Sequence, residues 1–381
     1  MSVTSLRARQ QGLSIIELMI SMGIGLLILA GLVTMFVNSS ANQRELQRSS
    51  IRIENGRYAM DTITQDLHHA GYYGQYFLNT VPAAAQDPCA ITAFADVVAA
   101  AGFPIQAYAA ASATARPDLS ATTCATSTVP TNILSTANLS PGSDVLVVRR
   151  ANTTALVAGN VAVTNEIYVQ SNPLEIAFQQ GSNTTIVTAM PSGPTANTTA
   201  DGGSATIQNA QKTAAAEIRK LHVHIYFVAP CSRPTGGGDV CTGTTDDDGS
   251  PIPTLKRLEL GVGSSGRKFD VVSIAEGIQH FQVAYGLDND PTTVSTVTNF
   301  KGDGVPDSNV RAPTLAEHAD IVDAQVSLLA RNNDKTQGFT DTKTYLVGSL
   351  SVGPFNDQYK RHVFNSRIRM TNLSSRREIP R

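Results

Sequence analysis

From Leu13 to Val37 the chain runs through 25 mostly apolar residues that carry a single charge, Glu17, and no other feature limits its fold so tightly. As a helix rising about 1.5 Å per residue this run spans roughly 37 Å, enough to cross a hydrocarbon core of about 30 Å. Before it stands a short, polar and cationic segment of twelve residues with Arg7 and Arg9, ending in Gln10-Gln11-Gly12. The positive-inside rule places that leader in the cytoplasm and the rest of the chain outside, although Arg44 and Arg48 reduce the contrast. A secretory signal has a shorter apolar core and small residues behind it. Here the small residue, Gly12, stands in front. A carboxylate costs about 2.5–3.5 kcal/mol at the centre of a membrane helix, less near one end, and normally has a partner. A plain anchor whose Glu17 reaches back to the headgroups explains the charge, but not the glycine, the spacing and the cationic leader together.

The segment Gly12-Leu13-Ser14-Ile15-Ile16-Glu17-Leu18 resembles the type III signal of prepilins. The resemblance implies that a prepilin peptidase cuts between Gly12 and Leu13 and methylates the new N-terminus. It also implies that Glu17 pairs with the terminal amine of a neighbouring subunit, a complementary charge that offsets the cost of burying a carboxylate. The family most often has Phe at the first mature place, so Leu13 is a departure.

Past Val37 the pattern becomes amphipathic. Leu46, Ile53, Met60 and Leu67 recur every seven residues, with Ile63 and Ala70 on the adjacent row, and the charged residues, Asp61 and Asp66 among them, fall mostly off that stripe. One helix from Leu13 to about residue 70 is expected, with Gly56 marking a bend. A solitary coiled coil is the rival reading of the heptad. Glu54-Asn55-Gly56-Arg57-Tyr58-Ala59-Met60 and Asp66-Leu67-His68-His69-Ala70-Gly71-Tyr72 resemble the stalk of PilW-type minor pilins, and residues 273–278, leading into 281–288, are similar to another stretch of that family.

Residues 80–216 are rich in Ala, Thr, Ser and Asn, with short strands expected at 144–150, 166–169 and 174–178. Further strands are expected at 221–228, 254–262, 280–286, 321–331 and 361–370, with a short helix over Val271 to Gln279. The order predicts an α+β, pilin-like fold in which the long helix packs on a mainly antiparallel sheet domain with long loops. Cys89, Cys124, Cys231 and Cys241 point to two disulfides in an oxidising compartment, with three connectivities open. Cys231 and Cys241 bracket a turn-rich loop, and neither close spacing nor a fourth-ligand histidine supports zinc.

Other chemistry is sparse. With 29 basic and 31 acidic residues and no basic tract, nucleic acid is not expected as a partner. His222, His224 and Tyr226 share one face of a strand, but no third metal ligand is evident and the expectation is a solvated sheet face. Asp288, Asp290, Asp303 and Asp307 gather oxygens that calcium accepts, but the loop fails the EF-hand pattern at Thr293 and Asn299, and Asp246-Asp247-Asp248-Gly249 fails it too. Solvated turns are the simpler reading. No nucleophile with its base, phosphate loop or dinucleotide fingerprint is present, so neither enzymatic activity nor a cofactor is expected.

The resulting organisation is a leader over 1–12, an assembly helix over 13–37, a helical stalk over 38–72 and a periplasmic domain over 73–381, loop-rich over 80–216 and sheet-rich over 217–381. By resemblance, the chain is a minor pilin in a complex that primes type IV pilus assembly, serving motility, adhesion or DNA uptake. Its implied partners are the peptidase, other minor pilins, the major pilin, the inner-membrane assembly platform and the membrane. A pseudopilin of a type II secretion system and a non-polymerising anchored adhesin are the alternatives.

Overall fold

The computed structural model describes residues 14–76, 84–119, 122, 124–126, 132–156, 162–181, 207, 209, 216–264, 266–290 and 302–378. The chain divides into two compact units, residues 1–50 and residues 51–381. One helix, α1 (Ile15–His68), contributes to both. Within the first unit its large apolar side chains are exposed.

In the second unit α1 buries Gly56, Ala59, Ile63, Asp66 and Leu67, a stripe at three- and four-residue spacing. The heptad read from the sequence is therefore only partly the packed face: Leu67 is buried, but Ile53 and Met60 are half-buried, and the buried row lies one position round the helix. Asp66 belongs to that row, not to the solvent face. The helix ends where Gly71 takes φ +71°, a conformation that glycine adopts without steric cost.

Thirteen strands follow among the described residues. The larger sheet holds β1 (Ile105–Tyr108), β2 (Val145–Ala151), β3 (Ile167–Ser171), β4 (Ile176–Gln180), β5 (Ile218–Ala229), β6 (Thr254–Gly263) and β7 (Gly266–Glu276). Twelve-residue β5 organises it, pairing β3 through its first residues, β2 through Leu221–Tyr226 and β6 through His224–Ala229, all antiparallel. A second sheet runs β13 (Arg361–Arg369), β10 (Ile321–Arg331), β8 (Ile278–Leu287), β9 (Ser308–Val310), and β11 (Tyr345–Val347) pairs β12 (Leu350–Val352). The mixed helix-and-antiparallel-sheet class expected from the sequence is the one observed.

The helix expected over Val271 to Gln279 is instead the end of β7 and the start of β8. Its apolar residues imitate a helical period, but Val271, Val272 and Ile274 are β-branched and favour the pleated sheet. Gly277 turns the chain at φ +79°, and a Cβ there would lie 2.6 Å from the Arg331 carbonyl oxygen. Helix α2 (Phe94–Ala101), in the loop-rich stretch, was not anticipated.

Two cores result. One lies between α1 and both sheets, and includes Ala59, Ile63, Leu67, Tyr226, Phe281, Val326 and Ile368. The other covers the opposite face of the larger sheet, where Val223, Ile225 and Phe227 meet Val97 of α2 and all four cysteines. The cysteines are joined as Cys89–Cys124 and Cys231–Cys241, the second closing a loop whose Cα atoms stand 5.8 Å apart.

Gly56 lies within the unbroken helix α1. It admits Phe364 of β13, whose ring carbon would stand 2.2 Å from a Cβ at this place. Gly56→Leu is expected to lower the unfolding free energy by about 1–3 kcal/mol despite leucine's better helix propensity, because the ring must be displaced from a packed face. Chemical denaturation of the detergent-solubilised chain tests this; an unchanged or raised midpoint would show that the ring yields freely.

Candidate assembly site

Gly12 and Leu13 lie outside the described residues. The described part of the site begins at Ser14, whose carbonyl accepts the Leu18 N–H at 3.1 Å, and Glu17 sits exposed in the first turn of α1. A carboxylate there faces the unpaired amides and positive dipole end of the helix, a favourable place for negative charge. Around and beyond it Ile16, Leu27, Met35 and Phe36 are all at least 65% exposed. Polar groups inside the apolar run are satisfied within the helix: Ser21 Oγ donates to the Leu18 carbonyl at 3.0 Å and Thr34 Oγ1 to the Gly31 carbonyl at 2.8 Å. Among the described residues α1 is the one helix long and apolar enough to cross a membrane.

A second polar centre joins α1 to the larger sheet. Asp66 Oδ1 accepts from Arg150 Nε on β2 at 2.9 Å, and Oδ2 accepts from His224 Nδ1 on β5 at 2.5 Å and from the Tyr226 hydroxyl. Arg257 on β6 stands 3.7 Å from the same carboxylate and donates to the Tyr226 oxygen at 3.2 Å. Burial alone would push the Asp66 carboxyl up. The hydrogen bond and charge of His224, with Tyr226 and Arg150, outweigh it and hold the group well below the usual carboxylate range. Burial and the neighbouring cations push His222 down to about 3.

The His222, His224 and Tyr226 face is thus not solvated, as the sequence had suggested. It meets α1, and the partner of His224 is a carboxylate 158 residues away. A sign in the sequence was available: Asp66 lies three residues after Ile63 and beside Leu67, so it shares the inward side.

The acidic residues divide. Asp288, Asp290 and Asp307 each bring one oxygen within 4.8 Å of the others, whereas Asp303 is turned to the Val305 N–H. Asp288 is fully buried and already holds a cation: Arg377, from the C-terminal helix (Thr371–Glu378), donates from Nη2 to its carboxylate at 3.2 Å and from Nη1 to Asp320 at 2.6 Å. Asp246 and Asp247 are not a solvated turn either. Asp246 accepts backbone N–H groups of Thr235, Thr242 and Gly243, and Asp247 those of Ser232, Arg233 and Ile252, so both cage the disulfide-closed loop.

An exposed apolar helix with one acidic residue near its start, followed by an antiparallel α+β domain, is the architecture expected of a pilin-like chain. Residues 7–33 match the family pattern described as Prokaryotic N-terminal methylation motif, and residues 241–372, from Cys241 to the first turn of the C-terminal helix, match Type IV Pilus-assembly protein W. The chain is thus similar at its N-terminus to prepilin-type signals and over its last third to a type IV pilus-assembly family. Among solved structures it is similar to a type IV-like pilin from Thermus thermophilus, at 12% identity over 40% of this chain and 79% of that one, with a TM-score of 0.18. No curated protein matches the sequence.

Proposed function

We propose that the chain is held in the inner membrane by α1, its leader cytoplasmic and its sheet domain periplasmic, until cleavage between Gly12 and Leu13 and N-methylation of Leu13 prepare it for the pilus. Glu17 then meets the terminal amine of a neighbouring subunit as α1 leaves lipid for the filament. The observation that carries this reading is Glu17 itself, a lone carboxylate at the fifth place after Gly12 in the otherwise uncharged, exposed apolar run of α1. In lipid such a charge needs a partner, and a cleaved N-terminus supplies one. The role is structural rather than catalytic, within a minor-pilin complex that primes assembly. The match of residues 241–372 to a pilus-assembly family supports a pilus over a secretion pseudopilus.

Glu17→Ala is expected to leave the protein in the membrane fraction but to reduce its amount in sheared filaments on the order of tenfold, since about 1.4 kcal/mol of lost pairing already gives that factor. Undiminished incorporation would remove the assigned role. Mass spectrometry of the membrane-bound protein is expected to find methylated Leu13 at the N-terminus; residues 1–12 still attached would overturn the processing step.

A further inference from the structure

The stripe by which α1 packs on the sheets nearly repeats itself. Ala59, Ile63 and Leu67 follow at four-residue steps, with small Gly56 and Ala70 at the two ends. Sliding the helix by four residues, about 6 Å, sets Ile63 where Leu67 was, or Leu67 where Ile63 was. Apolar burial is non-directional, so it distinguishes these registers only through differences in side-chain volume. Asp66 breaks the repeat. The same slide places Thr62 or Ala70 beneath Arg150, His224, Tyr226 and Arg257, leaving two guanidinium groups and an imidazole without the carboxylate on which they converge.

Stability gives little reason for such a centre. Exchanging a complete buried ionic cluster for well-packed apolar residues is often neutral or stabilising, whereas a polar group buried at one place in an apolar seam is best attested as a setter of register. Weaker polar ties lie along the same face: Arg52 Nη1 donates to Asn332 Oδ1 at 2.8 Å, and Asn55 Nδ2 to the Glu276 carbonyl at 3.0 Å. Asp66, by contrast, gathers groups from three strands, β2, β5 and β6.

We propose that Asp66 is a positioning residue that fixes the axial and rotational register of α1 on the two sheets. Its consequence for a pilus rests on the function proposed above, in which the sheet domain is carried into the assembly by α1. The register itself is a property of the single chain. It is measured without filaments, so failure of the pilus reading and failure of this proposal are distinguishable.

The experiment uses the full chain in detergent micelles with methyl-labelled Ile63 and Leu67. One variant replaces the whole centre (Asp66→Leu, Arg150→Met, His224→Leu, Tyr226→Phe, Arg257→Met), and the other is the near-isosteric Asp66→Asn. The native chain is expected to show one set of Ile63 and Leu67 methyl signals. The folded fivefold variant is expected to show a second or exchange-broadened set, on the order of a tenth of the population or more. A lowered denaturation midpoint with single, unshifted signals would mean that Asp66 only stabilises, and would overturn the proposal. Should the fivefold variant fail to fold, Asp66→Asn is judged by the same criterion: second signals support the proposal and a single native set refutes it.

Discussion

Replacing Arg361 by alanine is expected to lower the unfolding free energy by about 3–5 kcal/mol, the usual cost of stripping one partner from a buried ion pair. The Arg361 side chain, at the start of β13, is fully buried and meets the equally buried Asp341 at 2.7 Å and Asp357 at 2.5 Å. Its Nε donates to Gln279 Oε1 at 2.8 Å, and the guanidinium lies over the Phe355 ring at 3.7 Å from the centroid. Removing it leaves the Asp341 carboxylate with one side-chain donor, the Tyr345 hydroxyl at 3.0 Å, and no counter-charge among its described contacts. Arg361→Lys restores the charge but not the fork, and should recover only part of the loss. Urea denaturation of the detergent-solubilised chain measures both; a loss below about 1 kcal/mol for Arg361→Ala would place the pair among those that contribute little.

Asp66→Ala is expected to cost a similar amount, about 3–5 kcal/mol, for the opposite charge reason: here Arg150, the His224 imidazole and the Tyr226 hydroxyl lose the carboxylate they donate to, while Arg257 keeps Glu259. Asp66→Asn, which keeps shape and one acceptor oxygen, should cost less. The dependence on pH follows from the lowered carboxyl. Stability from a depressed acid is fully present above its unfolded value, near 3.8, and is lost only as pH falls through the lower folded value. The difference between native and Asp66→Ala should therefore persist from neutral pH to about 5 and shrink in stronger acid. A difference that vanished already at pH 5 would show that the carboxylate is not held low by its partners.

Why the sequence suggested the one site and not the other is a matter of distance along the chain. The assembly segment is local: Gly12, the apolar run and Glu17 lie within 26 consecutive residues, and lipid imposes a length and polarity that composition alone can show. Strands with clear alternation were legible for the same reason, 321–331 with both ends unchanged. Where two periods fit equally, at Val271 to Gln279, only pairing with β6 and β10 decided for strand. His224 and Asp66, Arg361 and Asp341, and Arg377 and Asp288 could not be matched in advance, since each side chain alone is as suited to solvent as to a partner.

The segment proposed to anchor the chain and carry it into an assembly could be read from residue type and spacing, because these set the cost of a charge in lipid. The tertiary structure alone decided which face of α1 is inward, that Gly56 makes room for Phe364 and that Asp66 ends among three strands. Those are outcomes of long-range pairing, in which a group's environment is set by residues 80 to more than 300 positions away.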